Sequence, residues 1–450
     1  MDGSGQVNAA LEARTQELGR ELLRAVTREQ ARMATLNRWT KQVLAWCLSD
    51  PQLKANVLRF VDCLPVLRDP RTVLQHLREY LTPRQRRLPA ALRFGLSLAQ
   101  PGLITAPAAS RILHQMMEQI ARQFIAATGT GEAVEVIRRL AAQGAWISLD
   151  VLGEEVISDQ EADAYAARYA ELIRALPPGS RLGLPPGRPS RHLSLKPSSL
   201  AARFDPIGFE ASRERVLQRL RPLAALAADY GVALTLDMEH YERRDLTLEL
   251  AKALLSDAEL GGRLHLGVVA QAYLRDTDAA VDDLIAWLRA RQRRLSVRLV
   301  KGAYWDYEVA RARQQGWPPP VYGEKRQTDL AFERLTERLM ASSDVIRLEV
   351  GSHNVRSVAR AMALMEARGA PADAVEFQVL YGMGDALQRA LSAQGYPVRV
   401  YAPVGALIPG MAYLVRRLLE NTANESFLRQ EIFEHQHEEQ LLAPPAMSSS

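Results

Sequence analysis

The stretch DTDAAVDDLIAWLRARQRRLSVRLVKGAY, Asp276 to Tyr304, decides the fold. Its first part, DTDAAVDDLIAWLRARQ, is an amphipathic helical segment, and its second, LSVRLVKGAY from Leu295, is a short apolar run of strand type. The same unit recurs in both directions along the chain. Runs of this kind are WISLDVLG from Trp146, HLSLKPS from His192, VALTLDME from Val232, LHLGVVAQAY from Leu264, LSVRLVKGAY from Leu295, VIRLEVGSHN from Val345, VEFQVLYGMG from Val375 and VRVYAPVG from Val398. Strands that are apolar on both faces and regularly separated by helices require a parallel sheet. Eight of them favour a closed (β/α)8 TIM-like barrel over an open doubly wound sheet, because closure leaves no edge strand to protect.

Upstream the grammar differs. From about residue 10 to 143 helix formers dominate at a period near 3.6, interrupted by Pro51, Pro65, Pro70, Pro83 and Pro101, which predicts an all-helical arm and domain. GTGEAV, Gly129 to Val134, follows helical sequence rather than a strand, so it reads as a helix-to-helix turn and not as a dinucleotide-binding loop. The predicted division is therefore 1–143 helical arm and domain, 144–430 barrel, and 431–450 a flexible tail ending in APPAMSSS.

At 450 residues, 47% hydrophobic and 24% charged, the chain has the composition of a globular protein with room for one large and one smaller domain. Cys47 and Cys63 lack partners at metal-ligand spacing, which fits a reducing cytosol and suggests neither a disulfide framework nor a zinc site. The first 20 residues have no apolar signal core, and no segment approaches 18 uninterrupted apolar residues, so a cytoplasmic location is expected. The net charge of +5 arises from Arg scattered among Glu and Asp, a pattern that argues against nucleic-acid binding and leaves peripheral contact with a membrane surface open.

Polar residues gather at one end of the strand runs. Lys196, Asp237, Gln271, Arg298, Lys301, His353, Asn354, Gln378 and Tyr401 all fall near C-terminal strand ends, where a barrel places its active site. Singly, each could be a cap or a loop hydrogen-bonder; together they describe a cation-rich site with no nucleophile–base pair, metal cluster or phosphate loop. Such a site suits an anionic cofactor whose own ring does the chemistry. In GMAYLVRRLLENTANESF, Tyr413, Arg416, Arg417 and Glu420 share one helix face; taken alone this reads as a solvated face with an Arg416 to Glu420 pair, whereas two adjacent guanidinium groups can also grip a carboxylate through several charge-assisted hydrogen bonds.

VRLVKGAYWD (Val297 to Asp306), VEFQVLYGMG (Val375 to Gly384), RVYAPVG (Arg399 to Gly405) and AYLVRRLLENTANESF (Ala412 to Phe427) closely resemble the proline dehydrogenase family, particularly the proline dehydrogenase half of the bifunctional proline utilization A flavoenzymes. The likeness runs from about residue 145 to 430, and the helical N-terminal region resembles the arm and helical domain that precede that barrel. It implies FAD-dependent oxidation of L-proline to 1-pyrroline-5-carboxylate by hydride transfer, with electrons passed to a quinone-type acceptor. It further implies Gln271, Arg298, Lys301, Gly302, Trp305, His353, Asn354, Gln378, Glu420 and Ser426 as FAD contacts. Lys196, Asp237, Tyr304, Leu380, Tyr401, Tyr413, Arg416 and Arg417 then form the substrate pocket, and Glu154, or its neighbour Glu155, is the acidic gate residue.

In that arrangement Arg416, Arg417 and Lys196 neutralise the proline carboxylate and Asp237 keeps the cations oriented. Tyr304, Leu380, Tyr401 and Tyr413 enclose the ring, Arg298 stabilises negative charge near the flavin edge, and Tyr401 excludes 4-hydroxyproline. The pattern also departs from the bifunctional enzymes. About 20 residues follow the barrel, too few for an aldehyde dehydrogenase half, and no ribbon-helix-helix pattern begins the chain, so a natural monofunctional enzyme and a portion of a longer one both remain open. Two rival readings stand beside this one. A flavin barrel of the folate-reductase type would lack the double-Arg clamp, and a non-catalytic scaffold or regulator would have lost some of the polar residues.

Overall fold

The computed structural model describes residues 3–33, 69–81, 121–153, 155–177, 189–407, 410 and 438–445, with isolated positions between 56 and 118. Eight parallel strands close into a barrel in sequence order: β1 (Trp146–Val151), β2 (His192–Leu195), β3 (Ala233–Leu236), β4 (Leu266–Gln271), β5 (Leu295–Val300), β6 (Ile346–Gly351), β7 (Glu376–Leu380) and β8 (Val398–Val404). β8 returns to β1 over a register from Trp146↔Arg399 to Val151↔Val404, so every strand has two neighbours and the expected closure is observed. All eight strands lie within the apolar runs read from the sequence.

Helices pack around this sheet: α3 (Thr130–Ala141), α4 (Asp159–Ala175), α5 (Phe209–Tyr230), α6 (Arg244–Ser256), α7 (Thr277–Ala290), α8 (Trp305–Gln315), α9 (Lys325–Ala341), α10 (Val355–Ala367) and α11 (Asp385–Ala393). Apolar faces at helical spacing supply the ring between sheet and helices, as Val281, Leu284, Ile285 and Leu288 of α7 show. Of GTGEAV, expected to be a helix-to-helix turn, only Gly129 lies outside α3, as its extended N-terminal cap, and Thr130 to Val134 are helical.

Inside the barrel the packing is unusually polar. Arg399, at the lower end of β8, donates to both oxygens of Glu376 at 2.6 and 2.9 Å and to the carbonyl oxygens of Ile147 and Pro189. His192 bridges the hydroxyls of Ser148 and Thr235 at 2.8 and 3.0 Å, and burial holds its imidazole well below the usual range, hence neutral.

Among the described residues, two helices precede the barrel region, α1 (Gly3–Met33) and α2 (Pro70–Leu81). α1 lies along α10 and α11 and is fastened by buried Arg356, which donates to both carboxylate oxygens of Glu12 at 2.7 and 2.9 Å and to Glu333 at 2.8 Å. Arg356 also donates to the carbonyl oxygen of Leu442, in the short helix α12 (Glu438–Leu442), and Leu442 is buried against α1. Glu438–Leu442, within the segment expected to be a flexible tail, is thus a helix packed on α1. Its physical reason is a side chain that finds an apolar groove on a distant helix, which local sequence does not show. No helix among the described residues is long and apolar enough to cross a membrane.

Candidate active site

A cavity opens at the C-terminal ends of the strands, lined by twelve of the residues expected from the sequence. They are Lys196, Asp237, Gln271, Arg298, Lys301, Gly302, Tyr304, His353, Asn354, Gln378, Leu380 and Tyr401. Every strand from β2 to β8 carries or precedes at least one of them. Trp305 stands apart: it begins α8, is partly exposed, and its indole N–H donates to the Tyr322 carbonyl at 2.8 Å rather than facing the cavity. Glu154, Tyr413, Arg416, Arg417, Glu420 and Ser426 lie outside the described residues.

Arg298 links several polar groups of the cavity lining. Its Nη1 donates to Asp237 Oδ1 at 2.8 Å, its Nη2 to Ser194 Oγ at 3.0 Å, and its Nε lies 3.9 Å from Glu349 Oε2. The other oxygen of Asp237 accepts from the Tyr401 hydroxyl at 2.8 Å, and the Arg298 guanidinium lies 5.1 Å from the Tyr401 ring centroid. One carboxylate therefore fixes a cation and an aromatic wall together, with both its oxygens used.

Asp237, expected to orient Arg416, Arg417 and Lys196, bonds Arg298 and Tyr401, and both arginines of that set lie outside the described residues. Lys196 is held elsewhere, by an ion pair with Asp150 on β1. Asp150 is fully buried, and burial pushes its carboxyl up while Lys196 pulls it back. Sequence reasoning missed Asp150; the available signal was an acidic residue in the middle of the apolar run WISLDVLG. Lys301 pairs with Asp329, which it shares with Lys325, and burial lowers its ammonium against the pull of that carboxylate.

Other wall residues are equally constrained. Gln378 donates its amide to Glu349 and Glu376 at 2.7 and 2.9 Å, which fixes Oε1 as the remaining acceptor. His353 accepts from the Leu380 backbone N–H at 2.9 Å through Nε2, so its proton sits on Nδ1, and burial pushes its pKa down to about 4. Asn354 caps α10, its side chain accepting from Ser357 N–H at 2.9 Å, so the cap reading weighed against a ligand role has direct support. Gly302, just past β5, has φ 132°, and a Cβ there would lie 2.4 Å from the Tyr273 ring, so only glycine allows this bend. Glu155, the alternative gate residue, pairs with Arg243 at 2.7 Å.

The lining of the cavity suits an anionic, hydrogen-bonding ligand. Arg298, Lys301 and Lys196 present cations, whereas the buried Oε1 atoms of Gln271 and Gln378 have no donor among the described residues and match a ring N–H. A closed parallel barrel with this cavity at its C-terminal face defines a (β/α)8 enzyme built around an anionic, hydrogen-bonding ligand.

Comparison with known proteins narrows the class. Residues 133–430 match the family described as proline dehydrogenase, and residues 12–124 match the proline utilization A N-terminal domain. The chain is 34% identical over 320 residues to the bifunctional protein PutA of Escherichia coli, covering 69% of this chain and 24% of that protein. It is 31% identical over 327 residues to the proline dehydrogenase of Deinococcus radiodurans, covering 72% and 93%. The crystal structure of proline utilization A from Bdellovibrio bacteriovorus, inactivated by N-propargylglycine, superposes with a TM-score of 0.87 at 33% identity over 98% of this chain and 44% of that one. This chain belongs to the proline dehydrogenase family. It spans about a quarter of the length of the bifunctional relatives it matches.

Proposed function

We propose that the protein oxidises L-proline to 1-pyrroline-5-carboxylate with FAD as cofactor, and passes the electrons to a quinone. The observation that carries this reading is the convergence of twelve expected site residues on one cavity in a chain of the proline dehydrogenase family. Bound FAD supplies the hydride acceptor. The protein's own residues bind, orient and enclose. Arg298 and Lys301 would face the flavin's electron-rich edge and phosphates, and Gln271 and Gln378 its ring donors. Lys196, together with Arg416 and Arg417, would neutralise the substrate carboxylate. Tyr304, Leu380 and Tyr401 would hold the ring against the oxidant and keep water out.

Purified protein should be yellow and bleach on anaerobic addition of proline; a colourless protein that takes up no FAD would support a scaffold instead. Arg416→Met or Arg417→Met should weaken proline binding by about 2 kcal/mol while FAD stays bound. Unchanged affinity in both variants would remove the pair from the pocket. Turnover with a soluble quinone tests the acceptor.

A further inference from the structure

Two carboxylates line the cavity among the described residues, and they differ in one respect. Asp237 spends one oxygen on Arg298 and the other on Tyr401. Glu239, two residues further along the loop after β3, accepts from the Ser198 hydroxyl at 2.8 Å through Oε1, while its buried Oε2 has no hydrogen-bond partner. Its backbone is held in place as well, since Gln271 Nε2 donates to the Glu239 carbonyl at 3.2 Å. A half-satisfied buried carboxylate costs stability unless a ligand completes it. Glu239 lines the same cavity as Lys196, Tyr304 and Tyr401.

The reaction requires such a group. Proline enters with a secondary ammonium, which has no lone pair, and hydride can leave the adjacent ring carbon only when nitrogen can form the C=N bond. We infer that Glu239 is the proton acceptor for the substrate amine, an assignment that rests on the proline-oxidising reading above. The ammonium N–H bond breaks and its proton passes to Glu239 Oε2. The freed nitrogen lone pair becomes the second bond of C=N as hydride passes from carbon to the bound FAD. The proton then leaves Glu239 for solvent through the cavity mouth, so protons and electrons balance.

The surroundings suit this work. Burial raises the Glu239 carboxyl, with Asp237 adding to the rise, and the Ser198 hydroxyl, Arg243 and Lys196 counter it. A carboxyl lifted in this way is a better base than a solvated one and is ionised above its raised pKa. Lys196, a basic group of the same cavity, is tied to Asp150.

Glu239→Gln keeps the shape of the side chain and removes the base. In the FAD-loaded protein, kcat/KM for proline should fall about a hundredfold at neutral pH, and the gap should close as pH rises toward the pKa of the free amine. Binding of oxolane-2-carboxylate, which has a ring oxygen in place of the amine and needs no base, should stay within about threefold. Ser198→Ala withdraws the hydroxyl that holds Glu239 down, so the acidic limb of kcat/KM should move to higher pH in a protein whose charges are otherwise intact. Coincident pH profiles of wild type, Glu239→Gln and Ser198→Ala would overturn the assignment. Parallel loss of oxolane-2-carboxylate binding in the Gln variant would overturn it too, by giving Glu239 a general role in shaping the pocket. Absence of any reaction with proline in the wild type would overturn the activity and the base together, whereas a reactive wild type with an unaltered Gln variant overturns the base alone.

Discussion

The two ends of the barrel carry similar residues and treat them differently. At the floor, Arg399 and Glu376 are almost fully buried, and Arg399 is matched by both carboxylate oxygens and by backbone carbonyls. At the mouth, Arg298, Asp237, Lys196 and Asp150 are also paired, but Arg298 Nε, Glu239 Oε2, Gln271 Oε1 and Gln378 Oε1 are buried without a hydrogen-bond partner. A saturated buried network can only hold structure, whereas one with donors and acceptors left over is built to be completed by something else. Charge in a barrel interior therefore does not identify a site; incomplete satisfaction does.

This contrast is open to direct attack, first at the floor. Arg399→Met leaves the buried Glu376 with the Gln378 amide but without its paired guanidinium, and stability should drop by about 3–5 kcal/mol in urea unfolding, with the cavity intact in the molecules that fold. A variant of normal stability that has lost activity would reverse the division between the two ends. At the mouth, Asp237→Asn removes the charge that fixes Arg298 and Tyr401. The expected loss is about 2–3 kcal/mol in kcat/KM, with a smaller fall in unfolding free energy, because solvent or ligand can reach the freed groups. Equal losses in both measurements would mean that the mouth is as structural as the floor.

A smaller effect is expected for specificity. Tyr401→Ser opens space beside the substrate ring and supplies a hydroxyl, so the ratio of 4-hydroxyproline to proline kcat/KM should rise about tenfold while proline turnover falls. Steady-state assays with both substrates check this, and an unchanged ratio would leave Tyr401 as a wall held by Asp237 and nothing more.

A last effect concerns pH. His353 is held neutral with a folded pKa of about 4, below the unfolded value of 6.5, so its contribution to stability is complete above pH 6.5 and is lost as pH falls from there toward 4. Across that window the slope should be at most about 1.4 kcal/mol per pH unit from this residue. Urea midpoints at several pH values should show the slope, and His353→Gln, which can still accept from Leu380 N–H, should reduce it. Buried His192 shifts in the same direction and should leave part of the slope in place.

The sequence alone determined the barrel, its eight strands and most of the residues at its mouth. Strands buried on both faces must be apolar, so a polar residue that closes such a run, as Lys196 or Gln378 does, stands out without any knowledge of contacts. The family resemblance added the roles of those residues, and the matched domains agree with it. Tertiary structure alone decided the pairings. Asp150 with Lys196, Asp329 with Lys301 and Ser198 with Glu239 are separated by 46, 28 and 41 residues, and no periodicity links them. The same holds for Leu442 on α1 and for Trp305, whose motif position suggested a cofactor contact while its indole points to Tyr322. Local pattern records which face of an element is apolar, whereas the partner of a buried charge is chosen by closure of the barrel, which brings distant strands to within hydrogen-bond reach.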